Sequence, residues 1–114
     1  MSSAQRIEAG AALVHGGMGS SHELSWALLA HRIGAETWVK HENHLPTGAF
    51  KVRGGLTYID RLRRDQPNLR GVIAATRGNH GQSIAFAARQ FGLPCVVVVP
   101  HGNSRSNNAA MRGY

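Results

Sequence analysis

Residues 70–100, "RGVIAATRGNHGQSIAFAARQFGLPCVVVVP", constrain the fold more than any other stretch. "CVVVVP" is an uninterrupted β-branched run, the pattern of a parallel strand buried on both faces. "GVIAA" is a second short apolar strand, and between the two Ile84, Ala87, Ala88 and Phe91 recur at helical spacing. Parallel strands need a long crossover, and this helix supplies it, so residues 70–100 read as one β-α-β unit with a right-handed connection. The fold class is α/β.

The rest of the chain alternates in the same way. "SSAQRIEAGAALV" carries a serine cap candidate and sets Ile7, Ala11 and Val14 on one helical face. In "SSHELSWALLAHRIG", Ser20 and Glu23 have capping-box spacing, Leu24, Ala27, Leu28 and His31 form a stripe, and Gly34 supplies the stop. "ETWVKHEN" reads as a strand. A helix follows from about Phe50 to Arg64, with Val52, Leu56, Ile59 and Leu62 on its core side. "NSRSNNAAMRGY" reads as the cap and first turns of another helix.

At 114 residues the chain has room for one modest domain. The single Cys95 excludes an intrachain disulfide framework and fits a reducing compartment. No apolar run reaches membrane-spanning length and the first residues lack a signal-peptide pattern, so the expected address is the cytoplasm. Thirteen Lys and Arg against six Asp and Glu give a net charge of +7, which raises nucleic acid as a partner. The basic residues are scattered, however, and no aromatic residues interleave with them to stack bases. The one cluster, "DRLRRDQ", reads as the solvated face of a helix. No specific nucleic-acid binding is expected.

In open parallel α/β sheets, ligands collect at the carboxyl ends of strands, beside helix N-termini. Two loops qualify, "HENHLPTGAFK" and "TRGNHGQ". The first places Lys51 in the opening turn of a helix, where the backbone dipole disfavours an ammonium. Burial beside Phe50 would favour the neutral amine further, and a neutral lysine is the nucleophile that condenses with carbonyl compounds. An ordinary surface lysine has the same spacing.

"KHENHLPTGAFKVRGG" followed by "ATRGNHGQSIAFAA" resembles the serine/threonine dehydratase group of fold-type II pyridoxal-phosphate enzymes, over roughly Ile33 to Met111. The resemblance implies the tryptophan synthase beta-like fold, with residues 70–100 in its small domain. It implies pyridoxal 5'-phosphate as cofactor and Lys51 as the lysine that holds it covalently and acts as acid/base at the substrate Cα. It further implies that Phe50 packs on the cofactor ring and that Asn79 bonds the cofactor's 3'-oxygen. The loop with Thr76, Arg77, Asn79 and His80 would hold the substrate carboxylate. The implied reaction is β-elimination from a hydroxy amino acid such as threonine or serine, giving a 2-oxo acid and ammonia. A homo-oligomer is implied for the full-length form.

The sequence departs from that pattern in three places. "VHGGMGSSHELS" lacks the Thr-Pro-like segment usual upstream. Arg77 stands where relatives carry a small Ser or Ala, and a serine there serves racemases as the acid/base on the opposite ring face. No glycine-rich phosphate cup or pyridine-nitrogen partner follows Lys51; Gly16, Gly17 and Gly19 precede it and do not follow a strand. The chain therefore reads as the N-terminal portion of a longer domain, residues 1–114, with an inactive truncated product as the alternative.

Two other readings compete. A nucleotide-binding module would explain a glycine-bearing β-α-β unit, but Gly78 and Gly81 fall short of G-x-G-x-x-G and no acidic residue ends the second strand. His41 and His44 invite a metal, but their spacing fixes no shared face and Glu42 would point away from His41 in a strand. No metal site is expected. Cys95 reads as a core thiol, and Trp26 and Trp38 as packing residues.

Overall fold

A computed structural model describes residues 2–114. Helix α1, Ser3–Gly17, opens on a capping box in which Ser2 and Gln5 exchange side-chain to backbone bonds. Strand β1 (Glu23–Ser25), helix α2 (Ala27–Ile33) and strand β2 (Trp38–Lys40) follow, then a short 3-10 turn at Glu42–His44. The second half contains α3 (Lys51–Asp65), β3 (Val72–Ala75), α4 (Asn79–Gln90), β4 (Cys95–Val98) and α5 (Arg105–Arg112).

The β3-α4-β4 unit is parallel, in register from Val72 opposite Cys95 to Ala75 opposite Val98. Its core is the seam between α3 and α4, where Val52, Ile59 and Ala87 are fully buried. Leu56, equally buried, faces α1 and comes within 3.2 Å of where a Gly17 side chain would begin. Val14 and Met18 close that side of the core. Val72, Ala74 and Cys95 pack beneath from the sheet.

Four expectations are corrected. Ser20 and Glu23 do not cap a helix: residues 23–25 pair antiparallel with 38–40, and α2 starts at Ala27 without a side-chain cap. Cross-strand pairing, including Glu23 with Lys40 at 3.9 Å, wins over the local helical pattern. Leu28, placed on a core stripe, is 87% exposed. Gly34 does end α2, in the left-handed conformation at φ 78°.

The strand before the lysine loop therefore belongs to a separate antiparallel pair and not to the parallel sheet. Finally, β4 is not buried on both faces. The described chain is a slab of 52 × 44 × 19 Å, and Ile73, Val96 and Val98 on one sheet face are half or more exposed.

Candidate functional site

The loop into α3 is built to deliver Lys51 at a fixed place. Gly48 takes φ 63°, a left-handed turn that a side chain would strain. Leu45, Thr47 and Ala49 are buried, so the loop is anchored on alternate residues, and the Thr47 hydroxyl donates to the Ala49 carbonyl at 3.2 Å. Phe50 precedes the helix and Lys51 is its first residue. Neither is buried, and Phe50 is 63% exposed, so the expected burial of the amine against Phe50 is absent. The Lys51 side chain stands at the helix start beside a wide opening rather than inside apolar packing.

That opening is a cleft of about 820 Å³ between α3, β3 and the start of α4. Phe50, Lys51, Tyr58, His80 and Ile84 line it, with β3 residues Val72 to Ala75 along one wall. It thus joins residues from both sequence motifs. Its size falls within the range of small-molecule sites, with a mainly apolar lining and a few polar groups.

The two motifs meet because α3 and α4 pack closely. A side chain on Gly55 would begin 2.7 Å from the Ser83 carbonyl oxygen, so only glycine fits there. Ser83 is 1% exposed, and its hydroxyl donates to the Lys51 carbonyl at 2.6 Å.

A second anchor lies behind Lys51. Arg53 clasps Glu42 with two bonds, Nε to Oε2 at 2.8 Å and Nη2 to Oε1 at 3.0 Å. Ser21 joins them, donating to Glu42 at 2.7 Å and accepting from Arg53 at 3.2 Å. Bidentate charge-assisted bonding of this kind fixes orientation as well as energy. The Arg53 hydrogen bonds hold the Glu42 carboxyl below its ordinary range, against the opposing effect of burial, and Glu42 raises the Arg53 guanidinium in turn. Glu42 lies in the 3-10 turn, so the strand geometry assumed for it from sequence does not apply.

The second loop is held from α5 and the turn before it. Asn103 and Asn107 both donate to the Arg77 carbonyl, at 3.0 and 3.2 Å. Gly78 donates to the Thr76 hydroxyl at 3.4 Å. Gly81, in the first turn of α4, leaves the space that Thr76 and Val97 occupy; a side chain there would begin 2.7 Å from Thr76 Cγ2. The Arg77 side chain is exposed and makes no ion pair among the described residues.

Of the residues singled out from sequence, Phe50, Lys51 and His80 share the cleft. Thr76, Arg77 and Asn79 stand on the adjoining loop and helix start, outside its lining. Ser21, Glu42, Arg53, Ser83, Asn103 and Asn107 were not singled out. Only the capping position of Ser104 in "NSRSNN" hinted that side-chain polar groups gather there.

His41 and His44 do share a face, their rings stacked at 5.4 Å, and Trp26 donates to His41 Nε2 at 3.1 Å. Among the described residues no group of three or more His, Cys, Asp or Glu is arranged to hold a metal. Cys95 is partly buried, which pushes its thiol up and away from the reactive thiolate. No helix among the described residues is long and apolar enough to cross a membrane.

Residues 21–114 match the family described as pyridoxal-phosphate dependent enzyme. The chain is 37% identical over 86 residues to a biosynthetic L-threonine dehydratase of Haemophilus influenzae, covering 75% of this chain and 17% of that protein. It is 37% identical over 91 residues to an L-threo-3-hydroxyaspartate ammonia-lyase of Saccharomyces cerevisiae, covering 80% of this chain and 28% of that one. Among solved structures, a pyridoxal 5'-phosphate-dependent aspartate racemase superposes with a TM-score of 0.91 at 29% identity, covering 97% of this chain and 35% of the racemase. The chain thus spans between a sixth and about a third of these three proteins. Motifs, parallel unit and likeness converge: the chain belongs to the pyridoxal-phosphate dependent enzymes, in the serine/threonine dehydratase group of fold-type II.

Proposed function

We propose that the chain carries the lysine-bearing, N-terminal portion of an ammonia-lyase. The enzyme would convert a β-hydroxy amino acid, such as threonine or serine, to a 2-oxo acid and ammonia. The observation that carries this reading is the shared cleft of Lys51, Phe50 and His80, drawn from two separate motifs.

The residues present fit half of the family's cofactor. Lys51 offers a primary amine at the mouth of a cleft wide enough for an aromatic ring, and Phe50 and Tyr58 offer aromatic surface beside it. No glycine-rich phosphate cradle follows Lys51 among the 114 residues. When bound, pyridoxal 5'-phosphate supplies an electron sink that stabilises negative charge at the substrate Cα.

The protein groups would then divide the remaining work. The Lys51 amine would hold the cofactor at its carbonyl carbon, the carbonyl oxygen leaving as water, and would carry the proton at Cα. Asn79 would donate to the 3'-oxygen and Phe50 would cover the ring. Thr76, His80 and the free backbone N–H groups at the start of α4 orient the carboxylate of an amino-acid substrate. The Arg77 guanidinium adds a contact to that carboxylate or to an acidic substrate side chain. The relative that acts on L-threo-3-hydroxyaspartate supports the second option.

Racemisation is a second reading, favoured by the likeness to the aspartate racemase. It needs an acid/base on the opposite ring face, and the loop carries Arg77 where the resemblance puts the racemase serine. Elimination fits better. Ammonia release from threonine, serine and 3-hydroxyaspartate by the complete enzyme tests the proposal. Inversion of the substrate without ammonia would replace it with the racemase reading.

A further inference from the structure

We infer that Ser83 is a positioning residue for Lys51, setting where the reactive amine stands relative to the Asn79–His80 end of α4; this rests on the reading of Lys51 given above. A serine within a helix ordinarily turns its hydroxyl back to its own preceding turn or out to solvent. Ser83 does neither. It is 1% exposed, and its hydroxyl crosses to the neighbouring helix to donate to the Lys51 carbonyl at 2.6 Å.

Burying a hydroxyl is unfavourable without a partner, and an alanine would fill most of the same space at no such cost. The bond is therefore placed where it fixes something. Lys51 is the first residue of α3, in a turn whose cap residue Phe50 supplies no side-chain bond. Helix starts of that kind fray. Ser83 lies one turn beyond Asn79 on the same face of α4, so its hydroxyl ties the Lys51 backbone to the element that carries Asn79 and His80.

Gly55 completes the device. Its missing side chain lets the Ser83 backbone approach, and any larger residue would separate the helices and break the bond. A flexible lysine side chain has many rotamers, so its reach is defined only when its backbone is held.

Covalent capture of pyridoxal 5'-phosphate by the complete enzyme, followed by visible absorbance and by borohydride fixation with peptide mapping, tests this. Ser83→Ala should weaken capture roughly tenfold, the effect of one lost hydrogen bond. Ser83→Cys, which keeps a poorer donor at the same place, should fall between the two. Val14→Ala, in the core on α1 and away from the cleft, is the control for general destabilisation.

The inference is overturned if Ser83→Ala and Val14→Ala lower capture equally for an equal fall in Tm, or if Ser83→Ala captures like the wild type. Should Ser83→Ala fail to fold, the comparison of Ser83→Cys with the wild type decides: equal capture overturns it. Lys51→Ala separates the two levels. Capture persisting there refutes the reading of Lys51 itself, whereas capture lost there but unchanged in Ser83→Ala refutes only the role of Ser83.

Discussion

The hydroxyl of Ser83 donates to the main-chain carbonyl of Lys51 at 2.6 Å, across the α3–α4 seam beside the close approach at Gly55. That one bond links the two motifs that the sequence separates by some thirty positions. It turns their proximity from a matter of topology into one of fixed geometry, and the closeness of the helices there rests on a glycine.

Gly55→Ala should therefore be costly although it favours helix. The new methyl would stand 2.7 Å from the Ser83 carbonyl oxygen, and backbone cannot rotate aside as a side chain can. Overpacking of this kind costs about 1–3 kcal/mol, more than the gain of about 1 kcal/mol from replacing a helical glycine. Denaturant unfolding should show a lowered midpoint; a stabilised variant would contradict the packing described.

Stability should fall in acid through Glu42. Its folded-state pKa lies below the ordinary value of 4.5, chiefly because Arg53 hydrogen-bonds the carboxylate. The contribution is then fully present above pH 4.5 and is lost as the pH falls through the depressed folded value. Glu42→Gln should lower stability at neutral pH by about 1.5–3 kcal/mol, as for hydrogen bonds to charged groups. It should also flatten that part of the acid transition. Parallel acid profiles for variant and wild type would show that the pair does not contribute.

Arg77→Ala should raise KM in the complete enzyme by the equivalent of about 1.5–3 kcal/mol while leaving cofactor absorbance unchanged. Asn103 and Asn107 hold the Arg77 carbonyl, which any residue has, so the loop keeps its shape in the variant. Unaltered steady-state constants would place the guanidinium on the surface without a role.

The parallel unit was legible because its signals are local and agree with one another. The run at Cys95–Val98, the periodicity of Ile84, Ala87 and Ala88, and the spacing of Val52, Leu56 and Ile59 each specify one structure. Residues 20–25 were misread because the capping spacing of Ser20 and Glu23 fits a helix as well as Glu23–Ser25 fits a strand. A partner strand 15 positions away decides between them. The exposed face at Ile73, Val96 and Val98 was also illegible, since composition tells which residues are apolar and not what covers them.

At the cleft, the motifs gave Phe50, Lys51 and His80. The residues that hold them were missed. Ser83, Glu42 and Asn103 are ordinary polar residues whose partners lie at distances of 11 to 32 positions along the chain. Polar side chains that reach across a fold leave no periodic trace.

The most direct measurement is borohydride fixation of pyridoxal 5'-phosphate on the complete enzyme, with the modified peptide identified by mass. The account predicts label on the peptide containing Lys51 and none in Lys51→Ala. Label on Lys40, the other lysine among these residues, or undiminished fixation in Lys51→Ala, would contradict it.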